Sequence, residues 1–142
     1  MIEETRIFDN NLFKLYKYAY NLHLNNTKDF FKQKSDEELK KSLINEINRD
    51  DKHILVYIDE KIVGYLMYKI DGNSIFLSEL AVDENYRNKQ VATKLIKEAM
   101  KIAKENGIKY VDLNCWSFNE AAESLYEYLG FDRIRSFYRK EI

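Results

Sequence analysis

The stretch from Ser74 to Cys115 constrains the fold more than any other part of the chain. Ser74–Val82 is a mostly apolar run of strand length, and Ile108–Cys115 is a second one. Between them, Val91, Leu95, Ile96, Ala99, Ile102 and Ala103 recur at the spacing of one helix face, and Asn106-Gly107 supplies the stop. Strand, helix and strand in that order are expected to close as a right-handed crossover with the two strands parallel. Every other element has to be arranged around that unit.

Upstream, Thr5–Phe8 reads as a short first strand. Leu12, Leu15, Tyr16 and Ala19 predict a helix over Asn10 to Leu24. Ser35-Asp36-Glu37-Glu38 has the form of a capping box, opening a second helix that runs to Asn48. His53–Ile58 and Ile62–Lys69 are apolar runs joined by Asp59-Glu60-Lys61, and Asp71-Gly72 is a second hairpin signal leading into Ser74. Downstream, Asn119–Leu129 reads as a helix and Phe131–Ile142 as one or two final strands. The expected fold class is α+β: a mixed, mostly antiparallel sheet with a central parallel β-α-β crossover and helices on both faces.

The chain has 142 residues, 45% of them hydrophobic and 33% charged, which fits one compact domain over residues 1–142. Lys+Arg 23 against Asp+Glu 24 gives a net charge of -1, so nothing marks the basic footprint that nucleic acid requires. No apolar stretch approaches the roughly 20 residues needed to span a bilayer. The segment MIEETRIFDNN lacks the basic and apolar regions of a secretory signal. Cys115 is the only cysteine, which excludes an internal disulfide and suits a reducing compartment. The expectation is a soluble, cytoplasmic protein, monomeric or homodimeric. His23 and His53 lack metal-ligand spacing, so no metal site is expected.

Two segments carry chemistry. Glu79 to Leu95 runs from a strand through a short loop into a long helix. Such a start presents unpaired backbone amides and the positive end of the helix dipole, a natural site for a diphosphate. Arg87, Lys89 and Lys94 add positive charge nearby. In the second segment, Asn119 to Phe131, helical geometry puts Asn119, Ala122 and Tyr126 on one face and Ala121, Leu125, Tyr128 and Leu129 on the other. The second set can pack on the sheet, leaving an amide and a phenol aimed at a groove. Gly130 suits a left-handed helix end.

Together these segments resemble the GNAT superfamily of acyl-CoA N-acyltransferases. That family carries Arg/Gln-x-x-Gly-x-Gly/Ala at a pyrophosphate loop and Asn-x-x-Ala-x-x-x-Tyr-x-x-x-Gly-Phe on a later helix. The second pattern is met by Asn119, Ala122, Tyr126, Gly130 and Phe131. In the first, Gln90 stands where the family has its first glycine, and Ala92 takes the second. The resemblance covers about residues 50 to 142, and in the family the first fifty residues shape the acceptor site. It implies a GNAT-like fold and acetyl-CoA as cosubstrate for transfer to an amine on a small molecule or a peptide. Main-chain groups of the Leu80-Ala81-Val82 strand, at Leu80 and Val82, would pair with the pantetheine arm. Arg87, Asn88, Lys89, Gln90, Val91 and Ala92 would cradle the pyrophosphate, with a contact from Thr93. Asn119 would hold the pantetheine, and Tyr126 would reach the thioester sulfur as general acid.

The general base is open at this level. Alternation puts Phe76 and Ser78 on one strand face and Glu79 on the other. The family's base sits on the face of Phe76 and Ser78, or near Asn114, and none of these three is a base. Glu79 is the nearest carboxylate: a β-bulge would turn it inward, and otherwise it is a solvated or salt-bridged residue, with a water relay in its place. Cys115 is expected to be a buried structural thiol, and Trp116 and Phe118 packing residues, with lining of the acceptor pocket as the alternative. The alternative to an enzyme is a non-catalytic acyl-CoA-binding regulatory domain, motivated by Gln90 and the missing base.

Overall fold

The computed structural model describes residues 1–142. Its elements are β1 (Ile2–Thr5), α1 (Asn10–Asn26), α2 (Asp36–Asn48), β2 (His53–Asp59), β3 (Lys61–Asp71), β4 (Ser74–Val82), a 3₁₀ turn (Glu84–Tyr86), α3 (Val91–Glu105), β5 (Tyr110–Leu113) and α4 (Glu120–Tyr128). The five strands lie in the order β1-β2-β3-β4-β5. β1 to β4 pair antiparallel, and β4 and β5 pair parallel. This is the mixed α+β arrangement expected from the Ser74–Cys115 unit.

Local chemistry sets the helix ends. Asp9 caps α1, its carboxylate accepting from the amides of Asn11 at 2.7 Å and Leu12 at 3.0 Å. The capping box of α2 is formed: Ser35 Oγ accepts from Glu38 N at 3.1 Å, and Ser35 N donates to the Glu38 carboxylate at 3.2 Å. The far end of α2 is closed from outside the helix. The Arg6 guanidinium, just past β1, donates to the carbonyls of Ile47, Arg49 and Lys52 at 3.1, 2.8 and 2.8 Å.

The sheet divides two cores. On one face, Leu12, Leu15 and Tyr16 of α1 and Leu39, Leu43 and Ile47 of α2 pack on Ile54, Val56, Tyr65 and Met67. On the other, Val91, Leu95, Ile96, Ala99 and Ala103 of α3 pack on Leu55, Leu66, Tyr68, Ile75 and Leu77, with Leu125 and Tyr126 of α4 and Leu129 just past it alongside. Close contact on the second face requires Gly64. A Cβ built there would lie 2.8 Å from Val91 Cγ1 and 3.4 Å from Leu95 Cδ1.

Three strand expectations are corrected. The first strand is Ile2–Thr5 rather than Thr5–Phe8, because Ile2 to Thr5 is the segment that registers on Tyr57 to Ile54. β5 stops at Leu113, two residues short of Cys115. Phe131–Ile142 forms no strand, so the parallel pair β4–β5 closes the sheet on that side. Phe131, Ile134 and Phe137 are spaced by three, which a two-residue repeat cannot place on one face. Side-chain contacts hold the segment instead: Arg139 donates to the Lys28 carbonyl and lies over the Phe30 ring, and Glu141 pairs with Lys28.

Gly64→Ala should therefore destabilise the fold by about 1–3 kcal/mol through overpacking, because Val91 is a short side chain at the first turn of α3 and cannot swing aside. Chemical denaturation of the purified variant measures this, and an unchanged midpoint would show that α3 can shift at no cost.

Candidate active site

β4 continues well past its parallel partner. The β4–β5 ladder pairs Ser74 with Tyr110 through Leu77 with Leu113 and ends there. Beyond it, Glu79 to Val82 pair only with β3. The amide of Asp83 donates to the Val63 carbonyl at 2.8 Å, so the main chain faces β3 at Asp83 and, by alternation, at Ala81. The main-chain groups of Leu80 and Val82 then face the edge that β5 has left. Of the three cofactor-binding residues expected here, Leu80 and Val82 point to the opening and Ala81 points back into the sheet.

The second feature of β4 is a bulge. Met67 opposes Glu79 and Tyr68 opposes Leu77, which leaves Ser78 without a partner. One extra residue moves every later side chain to the other face. Simple alternation put Glu79 opposite Phe76; the bulge brings it round to the α1/α2 face with Met67 and Tyr65. Ser78 is held in place by Lys52, whose Nζ donates to Ser78 Oγ at 3.3 Å and lies 2.9 Å from Glu46 Oε2. Ser78 Oγ in turn donates to the Met67 carbonyl at 3.3 Å.

Glu79 is therefore neither solvated nor salt-bridged at its surface. The residue reaches the groove, but its Oε2 is shut off from solvent and has no hydrogen-bond partner. Burial, with the Glu46 carboxylate nearby, pushes its pKa up to about 7, and Lys52 only partly offsets this. Its charge helps burial to raise the Tyr16 and Tyr65 phenols.

α4 brings the other partners. Asn119 is the N-cap, its Oδ1 accepting from Ala122 N at 3.2 Å. Part of its hydrogen-bonding capacity is thus spent on the helix itself. At the other end, Phe131 N donates to the Tyr126 carbonyl and Gly130 N to the Glu127 carbonyl, both at 3.0 Å, with Gly130 at φ 90°. This is a Schellman cap, and the Tyr126 and Phe131 rings meet edge-on at 5.8 Å as its hydrophobic contact. The Tyr-to-Gly-Phe spacing is what lets the cap clamp Tyr126. Tyr126 packs towards the α3 core while Tyr128, expected on that packing face, is 85% exposed. Burial and the neighbouring Cys115 push the Tyr126 phenol up to about 12.

Glu79, Leu80, Asn119, Ala122 and Tyr126 line one groove of about 270 Å³ where β4 and β5 part. Tyr20, His23 and Phe31 wall it from the α1 side, and Cys115 and Trp116 from the β5–α4 loop. Cys115 is an exposed groove residue, not a buried thiol, because β5 ends before reaching it. The sequence offered no signal for Tyr20 and Phe31.

The loop before α3 lies outside this groove. Asn88 and Gln90 both sit at φ 63°, the left-handed region. Gln90 thus adopts the conformation that glycine would take freely, at a cost of about 1–2 kcal/mol. No side chain caps α3, and Lys94 N is the first helix amide to find a carbonyl, that of Gln90 at 2.9 Å. The amides of Val91, Ala92 and Thr93 form the uncapped first turn. The nearby cations rest on tyrosines: Arg87 donates to Tyr18 Oη at 3.1 Å, Lys89 lies over Tyr86 and Lys94 over Tyr57.

The sheet is thus splayed between its two parallel strands, with an uncapped helix start beside the opening and a phenol and a shielded carboxylate in the groove. The profile of the acetyltransferase (GNAT) family matches residues 16–131, and the chain belongs to that family. It is 33% identical over 86 residues to N-alpha-acetyltransferase 30 of Schizosaccharomyces pombe, a match covering 57% of each chain. The curated relatives are thus spanned over little more than half their length or less. Among solved structures, the tetramutant of a Bacillus halodurans protein superposes with TM-score 0.88 at 19% identity, covering 100% of this chain and 99% of that one. PaiA N-acetyltransferase of Thermoplasma acidophilum, in complex with coenzyme A, superposes with TM-score 0.71 at 23% identity over 93% of this chain and 90% of that one. No helix of the chain is long and apolar enough to cross a membrane.

Two measurements follow from this geometry. A carboxyl whose folded pKa lies near 7 instead of 4.5 favours its protonated form, so it lends stability below about pH 4.5 that is lost as pH rises through about 7. Glu79→Gln should flatten that fall and be the more stable protein at pH 8, by about 1–3 kcal/mol; equal pH profiles of the denaturation midpoint would remove the buried-carboxyl assignment. Gln90→Gly should raise stability by up to about 1 kcal/mol by relieving the left-handed backbone, read from the same midpoints.

Proposed function

We propose that residues 1–142 act as one acetyl-CoA-dependent N-acetyltransferase unit acting on a primary amine by direct attack. The observation that carries this reading is the meeting of Glu79 and Tyr126 in one groove beside the unpaired edge of β4. The residues present suit the cosubstrate. Leu80 and Val82 offer main-chain groups to an extended pantetheine arm, and the open first turn of α3 offers amides to a pyrophosphate. The Gln90 backbone already takes the conformation the loop needs. Arg87 and Lys89 border the same loop, and Asn119 flanks the groove.

Acetyl-CoA supplies the acetyl group as a thioester: the new C–N bond forms as the C–S bond breaks, giving an N-acetyl amine and free thiol. Glu79 takes the proton that the amine nitrogen must shed. A base with a pKa near 7 is half-ionised at neutrality, which suits both accepting and passing on a proton. Lys52 and Glu46 lie close enough to Glu79 to shift its pKa in opposite directions. The Val82 amide, unpaired at the open edge, is placed to stabilise negative charge on the carbonyl oxygen.

Tyr126 serves the sulfur. With its pKa raised to about 12, the phenol stays protonated throughout the working range. It is a weaker acid than a thiol of pKa about 8.5, so it acts by hydrogen-bonding the sulfur as charge builds there, while the proton lost by the amine makes up the final balance. Burial thus makes Tyr126 a dependable donor.

On an identified acceptor, Tyr126→Phe should lower kcat by about 10²–10³-fold, the usual worth of one hydrogen-bond donor to developing charge, with acetyl-CoA affinity and folding unchanged. Glu79→Gln should cost a similar factor and abolish the limb of the pH–rate profile near 7, with calorimetric acetyl-CoA binding retained. Near-normal turnover in either variant would remove that residue's role. Acetyl-CoA binding without thiol release from any amine would favour instead a non-catalytic acyl-CoA-binding domain.

A further inference from the structure

The groove carries information about the acceptor. Its α1-side wall is a set of touching rings: Tyr20 and Phe31 meet edge-on with centroids 5.6 Å apart, and Phe31 and Trp116 are at 5.6 Å. His23 joins them at 5.9 Å from Phe31 and 6.3 Å from Trp116. The Tyr20 hydroxyl donates to the Lys32 carbonyl at 2.7 Å and the His23 ring engages the Ala19 carbonyl at 2.7 Å, so both rings are fixed in place. Glu79 is the one acidic side chain lining the same groove.

Two cations stack on rings of this aromatic cluster. Lys34 Nζ lies 5.1 Å from the Tyr20 ring centroid. The Arg139 guanidinium lies 3.7 Å from the centroid of Phe30, whose ring is 5.0 Å from Trp116. On that side Glu141 pairs with Lys28, and Asp29, next to Phe30, has no ion pair. An amine carrying several positive charges finds one carboxylate lining the groove, Glu79, so its second and third cations would face aromatic rings rather than acidic partners. A single ammonium needs only Glu79 and the aromatic faces, which attract one cation and bury one flat apolar body. At about 270 Å³ the groove is also small for a ligand pocket.

Resting on the acetyltransferase reading, we infer that the acceptor is a primary amine with one positive charge on a flat apolar body, and that polyamines and aminoglycosides are poor acceptors because the aromatic groove offers a single carboxylate. The aromatic wall of Tyr20, Phe31 and Trp116 receives the body, and Glu79 receives the ammonium. This differs from the sisomicin bound to one structural neighbour, an aminoglycoside acetyltransferase that shares the fold at 18% identity.

The test uses 2-phenylethylamine, ethylamine, spermidine and kanamycin as acceptors, with thiol release from acetyl-CoA as one readout. Trp116 is the only tryptophan, so its fluorescence is a second readout that needs no turnover. We expect 2-phenylethylamine to exceed ethylamine by at least about 10-fold in kcat/KM and spermidine and kanamycin by about 10²-fold, one aromatic contact being worth about 10-fold. We also expect it alone to change Trp116 emission saturably. Trp116→Leu should raise KM for 2-phenylethylamine about 10-fold, and Trp116→Phe should restore it. Equal or better turnover of spermidine or kanamycin overturns the inference and leaves the acetyltransferase reading standing. Silence from all four amines, with Trp116 emission unchanged and acetyl-CoA still bound, overturns the inference, while the acetyltransferase reading falls only if peptide amines also release no thiol.

Discussion

The whole site depends on an inequality of length between two parallel strands. β4 has nine residues and β5 four, so the distal part of β4 has a hydrogen-bonding partner on one side only. Buried or half-buried main-chain groups need partners, and here the missing partner leaves a slot shaped for an extended chain. The departure of β5 at Leu113 opens the groove, lets the Cys115–Asn119 loop cross above it, and delivers α4 to its far side. Had the ladder continued, Glu79 and Tyr126 would sit behind a closed sheet.

The bulge at Ser78 completes what the length mismatch begins. One inserted residue swaps the face of everything beyond it, and that swap is what sends a carboxylate into the α1/α2 side rather than against α3. A charged group there would be costly if ionised and unpaired, and the raised pKa is the expression of that cost. Lys52 mediates: tied through its carbonyl to Arg6 and through its ammonium to Ser78 and Glu46, it links the end of α2 to the bulge. The acidic character of the site is thus set by residues far apart in the chain.

Much of this was legible beforehand, and unevenly so. The Ser35 capping box, the α3 face and the Gly130 stop are local patterns whose partners lie within a few residues, so reading them needs no tertiary knowledge. The Asn119-to-Phe131 motif was equally plain, although its cap turned out to hold both Asn119 and Tyr126 in position. Glu79 was identified as a candidate only through the possibility of a bulge, since the register of β4 on β3 is invisible in one strand's alternation. The exposure of Cys115 and the absence of strands after Phe131 share one cause: strand length is fixed by the partner, and a spacing of three apolar residues cannot supply one. Tyr20 and Phe31 meet the groove only because α1 and the segment after it fold back over the sheet.

The partition of the interior by the sheet has a consequence for how such a chain can diverge. One core, under α1 and α2, abuts the aromatic wall; the other, under α3 and α4, supports the uncapped helix start and the clamp on the phenol. Side chains of the two cores meet only through strands whose backbone is pinned by the ladder. Drift in the first helix and the segment behind it can therefore retune what is received while the opposite half keeps its geometry. The fold behaves as a fixed handle with an interchangeable head, and selection can work on the two at different rates.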